Sequence, residues 1–201
     1  MTAEASRPDF SVKPVLHGDL VTLRVLGAAD QPALLPVYSD PDVARLTGSH
    51  GVPDLDQGLA WLASRPGQPD RLDLAVLDRA AGICVGEVVL NEWDAENESC
   101  NFRIALAPGS HGHGLGTEAT RLIVGYGFEQ LGLHRISLEV YAFNPRAKRA
   151  YEKVGFVAEG VLRHALRWDG QRIDAVVMSI LADEWTVHRG HPKPPATTTA
   201  T

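Results

Sequence analysis

The chain has little cysteine, no long apolar run and no excess of positive charge, and each shortage removes a class of protein. Its two cysteines, Cys84 and Cys100, lie in apolar stretches without CxxC spacing. That argues against a disulfide-stapled scaffold and a thiolate metal site, and both read as buried, reduced thiols. If their stretches pair as a hairpin about Trp93 to Glu96, Cys84 lies opposite Leu106 rather than Cys100. No window approaches the roughly 20 apolar residues that a spanning helix needs, and the first dozen residues lack a basic start followed by an apolar run. The expectation is therefore a cytoplasmic protein without a membrane partner. A formal net charge of −6 offers no broad basic surface, which argues against nucleic acid and leans towards basic substrates.

What remains is 201 residues, 44% of them hydrophobic, enough for one sizeable core. A single domain is expected over residues 13–186, between a disordered N-terminus at residues 1–12 and a Pro/Thr-rich tail at residues 187–201. Alternation predicts a strand over Asp19 to Leu26, and the Leu-rich residues 28–40 a helix that Asp30 could cap. A second helix follows over Asp54 to Arg65, with Leu55, Leu59 and Leu62 on one side and Pro66 and Gly67 at its end. Leu72 to Asp78, Ile83 to Trp93 and Ser99 to Leu106 read as an antiparallel meander. A helix over Thr117 to Gly132 groups Leu115, Ala119, Leu122, Ile123 and Tyr126 on one face. Then come a strand at His134 to Ala142 and a short helix ended by Gly155. Strands at Val157 to Arg167 and Ile173 to Leu181 flank a Trp-Asp-Gly turn. This order predicts an α+β (mixed α/β) domain, a mostly antiparallel twisted sheet flanked by about four helices. The strand at Ile136 is parallel to the one at Phe102, because a helix crosses between them.

The loop Ser110-His-Gly-His-Gly-Leu-Gly sets Gly112, Gly114 and Gly116 ahead of a helix. Without Cβ atoms, successive backbone N–H groups can approach a ligand, and the helix start adds its positive dipole end and the Thr117 hydroxyl. Phosphate is the natural guest, although alternating glycines are as common in loops that bind nothing. A P-loop needs Lys where Thr117 stands, and a dinucleotide fingerprint needs glycine there. His111 and His113 have a spacing that could suit a metal, but no third ligand is near in the sequence, so none is expected.

LAPGSHGHGLGTEAT (residues 106–120) resembles the pyrophosphate loop of the GNAT acetyltransferases, with His111 where that pattern usually has Arg or Gln. NPRAKRAYEKVGFVAEG (residues 144–160) resembles the family's second signature, and residues 164–181 are similar to the branch that acetylates ribosomal-protein N-termini, itself akin to spermidine and some antibiotic acetyltransferases. The resemblance covers Ser99 to Leu181. It implies an acetyl-CoA-dependent N-acetyltransferase, the diphosphate held by His111, Gly112, His113, Gly114, Leu115, Gly116 and Thr117. The parallel strand pair should splay, so that Ile104 and Leu106 bind the pantetheine arm through their backbone. It assigns further CoA contacts to Asn144, Ala147, Lys148 and Tyr151.

The same likeness makes Tyr151 the general acid that protonates the departing thiolate, against the bland reading of a tyrosine packed on the sheet. Asn144 either contacts pantetheine or caps the following helix, or both. The general base stays open among Glu87, Glu92, Asp94, His164 and a water chain. Trp61, Trp93 and Trp168 could line the acceptor pocket or pack in the core, with Trp61 the best candidate for burial and Trp168 for exposure. The acceptor is expected to be a protein N-terminal amine. A small amine such as a polyamine or aminoglycoside is the alternative, and a non-catalytic acyl-CoA-binding module the rival from another class. A homodimer through an exposed strand edge is a further expectation.

Overall fold

The computed structural model describes residues 9–50 and 54–189. β1 (Leu16–His17) and β2 (Val21–Val25) are followed by α1 (Gln31–Ser39), α2 (Pro41–Thr47) and α3 (Leu55–Ser64). β3 (Leu72–Asp78), β4 (Ile83–Asp94) and β5 (Ser99–Leu106) form the meander. α4 (Leu115–Glu129), β6 (Arg135–Tyr141), α5 (Pro145–Val154), β7 (Val157–Trp168), β8 (Gln171–Leu181) and α6 (Ala182–His188) complete the chain. The eight strands make one sheet in the order β1-β2-β3-β4-β5-β6-β8-β7. Every pairing is antiparallel except β5 with β6, which the α4 crossover makes parallel as expected.

Alternation along the central strands divides the interior in two. Val88, Leu90, Cys100 and Phe102 share a cluster with Leu115, Ala119 and Ile123 of α4, the larger core. On the other face Ala75 packs with Leu26, Leu34, Val37, Val43 and Leu62, which belong to the α1–α3 layer and its approach. Leu62 is buried but Leu55 and Leu59 are 56% and 39% exposed, so α3 puts only part of its expected apolar stripe into the core. Phe10 is 1% exposed and packs on Trp93 with ring centroids 5.2 Å apart, ahead of the domain start expected at residue 13.

Asp30 does not cap α1. Its carboxylate is 3% exposed and takes both Arg24 guanidinium nitrogens (2.6 and 2.9 Å) and the Gly27 N–H (3.0 Å), a paired burial that outweighs a cap. Two helices beyond the expected four are present, α2 and α6. The β4–β5 turn also falls further along: Asp94 faces Ser99, and Gly86, not Cys84, faces Leu106. A register irregularity between Asn91 and Asp94, with Glu92 at φ 54°, accompanies that shift. Both cysteines are free, and burial pushes the Cys100 thiol up to about 12. Among the described residues no helix is long and apolar enough to cross a membrane.

Candidate active site

The site begins where β5 and β6 part. The Ala107 N–H donates to Val85 C=O at 2.7 Å, which sets odd-numbered β5 residues to bond β4. The His134 N–H donates to Glu98 C=O at 2.7 Å, which turns the even-numbered residues towards β6. Pairing with β6 ends at Asn101 and Ser137, so the N–H and C=O groups of Ile104 and Leu106 face a gap between diverging strands. Unpaired strand groups beside a cavity are positioned to take an extended ligand as an added strand.

A cavity of about 320 Å³ opens on that gap, and the glycine loop and α5 close it. Gly112 and Gly114 sit at φ 88° and 87°, the left-handed region that only glycine enters freely. A Cβ built on Gly112 would meet nothing within 4 Å, so the loop backbone is open to a ligand. Ile104, Leu106, His111, Gly112, Gly114, Gly116 and Thr117 line the cavity from the β5 and loop side, Asn144, Ala147 and Tyr151 from the other. Three expected contacts do not line it. His113 is exposed, Leu115 is 5% exposed in the core, and Lys148 pairs with Glu152 at 2.5 Å.

In their place α5 offers Arg146, Arg149 and Lys153, and α2 offers Val43, Leu46 and Thr47. The α5 set was readable, because Arg146, Arg149 and Lys153 recur at helical spacing on the face carrying Ala150. Burial, and then the Arg146 guanidinium nearby, lower the His111 imidazole's pKa. Arg146 thus brings a guanidinium from α5 to the cavity that His111 lines. The Asn144 side chain caps α5, accepting from the Ala147 N–H at 3.1 Å, while also lining the cavity.

A second cavity, of about 730 Å³, lies between the α1–α3 layer and the sheet. It is walled by Leu35, Tyr38, Leu55 and Trp61 on the helix side and by Glu87, Val89, Arg103, Glu139 and Tyr141 on the sheet side. The two cavities share Val43, Leu46, Thr47, Ile104, Ala105 and Tyr151. Tyr151 is wedged against Phe102 and Phe156, each with ring centroids 6.0 Å away, and burial raises its pKa well above the ordinary phenol, so it stays protonated at neutral pH.

Residues 21–157 match the acetyltransferase (GNAT) domain family. The chain is a GNAT N-acetyltransferase. It is 28% identical over 177 residues to the uncharacterized N-acetyltransferase p20 of Bacillus licheniformis, covering 85% of this chain and 97% of that one. Over 104 residues it is 31% identical to a Bacillus subtilis protein with a ribosomal N-acetyltransferase designation, YdaF, covering 52% of this chain and 57% of that one. The spermidine N-acetyltransferase of Vibrio cholerae, solved with CoA and spermine, superposes with a TM-score of 0.78 at 26% identity, over 84% of this chain and 99% of that one.

The candidate bases separate clearly. Glu87 lies in the wall of the larger cavity, with Oε2 fully buried and unpartnered, and burial raises its carboxyl to about 7. Glu92 also lines that cavity but is exposed on the irregular stretch of β4. Asp94 is turned into the β4–β5 turn, accepting from Asn97 Nδ2 at 2.7 Å, and His164 is exposed on β7, outside both cavities. The tryptophans also part company. Trp61 is 38% exposed and faces the larger cavity rather than the core, Trp93 packs against Phe10, and Trp168 is half-buried in a stack with His50 at 5.3 Å. Among the described residues no cluster of three or more His, Cys, Asp or Glu could hold a metal ion.

Proposed function

We propose that acetyl-CoA is the acetyl donor and a protein N-terminal α-amine the acceptor, the donor lying in the smaller cavity and the acceptor entering through the larger one. The observation that carries this reading is the junction of the two cavities at Ile104, Ala105 and Tyr151. It lets two substrates meet end to end over the free backbone of β5. The loop amides of residues 112–117 hold the diphosphate at the start of α4, with Arg146 and Arg149 as countercharges. The free N–H groups at Ile104 and Leu106 hold the pantetheine amides in line, and one such donor at the thioester oxygen stabilises the charge that develops there. Tyr151, protonated and at the junction, gives its proton to the leaving sulfur.

The larger cavity supports an amine carried on a chain with an apolar neighbour. Leu35, Leu55 and Trp61 form a surface for the side chain of a first residue, and Asp54, Glu87, Glu92 and Glu139 favour a cationic end. The same carboxylates, and the spermine-bound Vibrio relative, support a polyamine as the second reading. An acceptor screen that follows CoA thiol release decides between them. Peptides with free N-termini turning over at least tenfold better than spermidine support the first reading, and the reverse order replaces it with the second. No release with any amine removes both. The reading extends to a homodimer across the outer edge of β7, where Val157 and Val161 stand 53% and 57% exposed on an unpaired strand edge.

A further inference from the structure

Glu87 combines three features that structural carboxylates rarely combine. It faces Ala105, its cross-strand partner on β5, and Ala105 belongs to the wall shared by both cavities. This places it one strand away from the point where the two substrates meet. Its Oε2 is buried yet has no hydrogen-bond partner, an arrangement that costs stability unless something else occupies the position. Neither nearby cation forms an ion pair with it. Arg71 grips Asp73 through two hydrogen bonds of 2.7 and 2.8 Å, and Arg103 is exposed on β5. Cys84 is a neighbour on its own strand, and the buried Tyr38 hydroxyl of α1, likewise without a hydrogen-bond partner, lies near enough to favour the charged carboxylate.

We propose that Glu87 is the catalytic base of the transfer, receiving the proton of the acceptor ammonium at the junction end of the larger cavity, with Tyr38 as its positioning residue. The proposal rests on the amine-acetylation reading above. The carboxylate takes one proton from the ammonium, leaving a neutral amine whose lone pair attacks the thioester carbonyl. The C–N bond forms and the C–S bond breaks. The sulfur leaves with its electron pair and takes the Tyr151 proton, and the phenolate recovers one from the nitrogen, which keeps a single hydrogen in the amide. Glu87 then releases its proton to solvent, so the balance is one ammonium and one thioester giving one amide, one thiol and one proton. The charge balance around the carboxylate suits the task. Burial and Asp73 raise its pKa, while Tyr38, Arg103 and Arg71 lower it, and the outcome of about 7 lets the base be regenerated at neutral pH.

The test measures kcat/KM against pH for wild type, Glu87→Gln and Tyr38→Phe with the best acceptor from the screen. A carbon-13 NMR titration of glutamate carboxyls in the free protein runs alongside. Wild type should lose activity below about pH 7. Glu87→Gln should be lower by about 100-fold or more, should lack that limb and should lose a carboxyl signal that titrates near neutrality in wild type. Tyr38→Phe, having lost the donor to the charged form, should move the limb to higher pH. A weakly basic amine, neutral throughout the range, should be acetylated by Glu87→Gln within about threefold of wild type, which a folding defect would not permit. An unaltered limb in Glu87→Gln, or activity within about threefold of wild type on the basic amine, overturns the proposal. A wild type that acetylates no amine overturns the underlying reading instead.

Discussion

At the residue scale the account turns on a phenol and a carboxylate that burial keeps protonated at higher pH than usual, for different uses. A raised pKa keeps the Tyr151 phenol protonated at neutral pH and so available as a donor, and Tyr151→Phe should lower kcat by ~100-fold or more while CoA affinity stays within about twofold. Steady-state rates and calorimetry on the same preparation check both halves. The loss of the phenolic proton is the reason for the split, because the ring still packs on Phe102 and Phe156. Residue identities at this scale were unevenly legible. Tyr151 could be named from its neighbours in the chain. Glu87 could be named only as one candidate of several, because an alternating strand does not say which face carries a cavity and which a core. Trp61 stays open in the sequence between the acceptor pocket and the core, with a lean towards burial that its 38% exposure does not match. Its position depends on α3 leaving a cleft instead of closing on the sheet, a tertiary outcome that no local pattern encodes.

At the scale of elements, the loop and α4 do two jobs with one helix start. Its amides face the smaller cavity, while the Glu118 carboxylate in its first turn accepts the N–H groups of Asp19, Leu20 and Val21 at 3.0, 2.7 and 2.7 Å. Glu118→Ala strands three donors at the β1–β2 turn and should cost about 2–4 kcal/mol, read by denaturant unfolding, since hydrogen bonds to a charged group are worth roughly 1.5–3 kcal/mol each and water recovers part of the loss. Gly112→Val should cost about 1–3 kcal/mol of stability through backbone strain alone, since nothing lies within 4 Å of its Cβ, and should weaken CoA binding by tenfold or more. A β-branched residue resists φ 88° and would stand where the diphosphate fits.

Elements with strong periodicity or punctuation could be found in the sequence. The WDG turn is one, with Asp169 and Gly170 both at positive φ joining Trp168 to Gln171. α2 carries stop and start signals, since Asp40 caps it through the N–H groups of Asp42 and Val43, Pro41 opens it and Gly48 ends it at φ 68°, but its seven residues are too few for a periodic signal.

At the scale of the whole molecule, the Glu87 carboxyl links stability to pH. Its folded pKa of about 7 exceeds the ordinary 4.5, so between those values the native state holds a proton that the unfolded state has lost. Stability therefore declines as pH rises through that window and levels off above it. Glu87→Gln removes the decline, so its melting temperature relative to wild type should climb between pH 5 and pH 8; a constant difference would mean that the carboxyl is not held protonated. A dimer across β7 predicts twice the monomer mass in sedimentation and a monomer after Val161→Lys.

The antiparallel meander and the parallel crossover were legible because chain order and connection handedness leave few alternatives, whereas the place of β8 between β6 and β7 was not. The meeting of two cavities was not, since α2 and α5 come together there from opposite ends of the chain.

The most direct measurement of that meeting is amide hydrogen exchange with and without CoA. The account predicts that CoA slows exchange at Ile104 and Leu106 together with residues 112–117, in one saturable step. Protection confined to the loop, with the β5 amides unchanged at saturation, would contradict it.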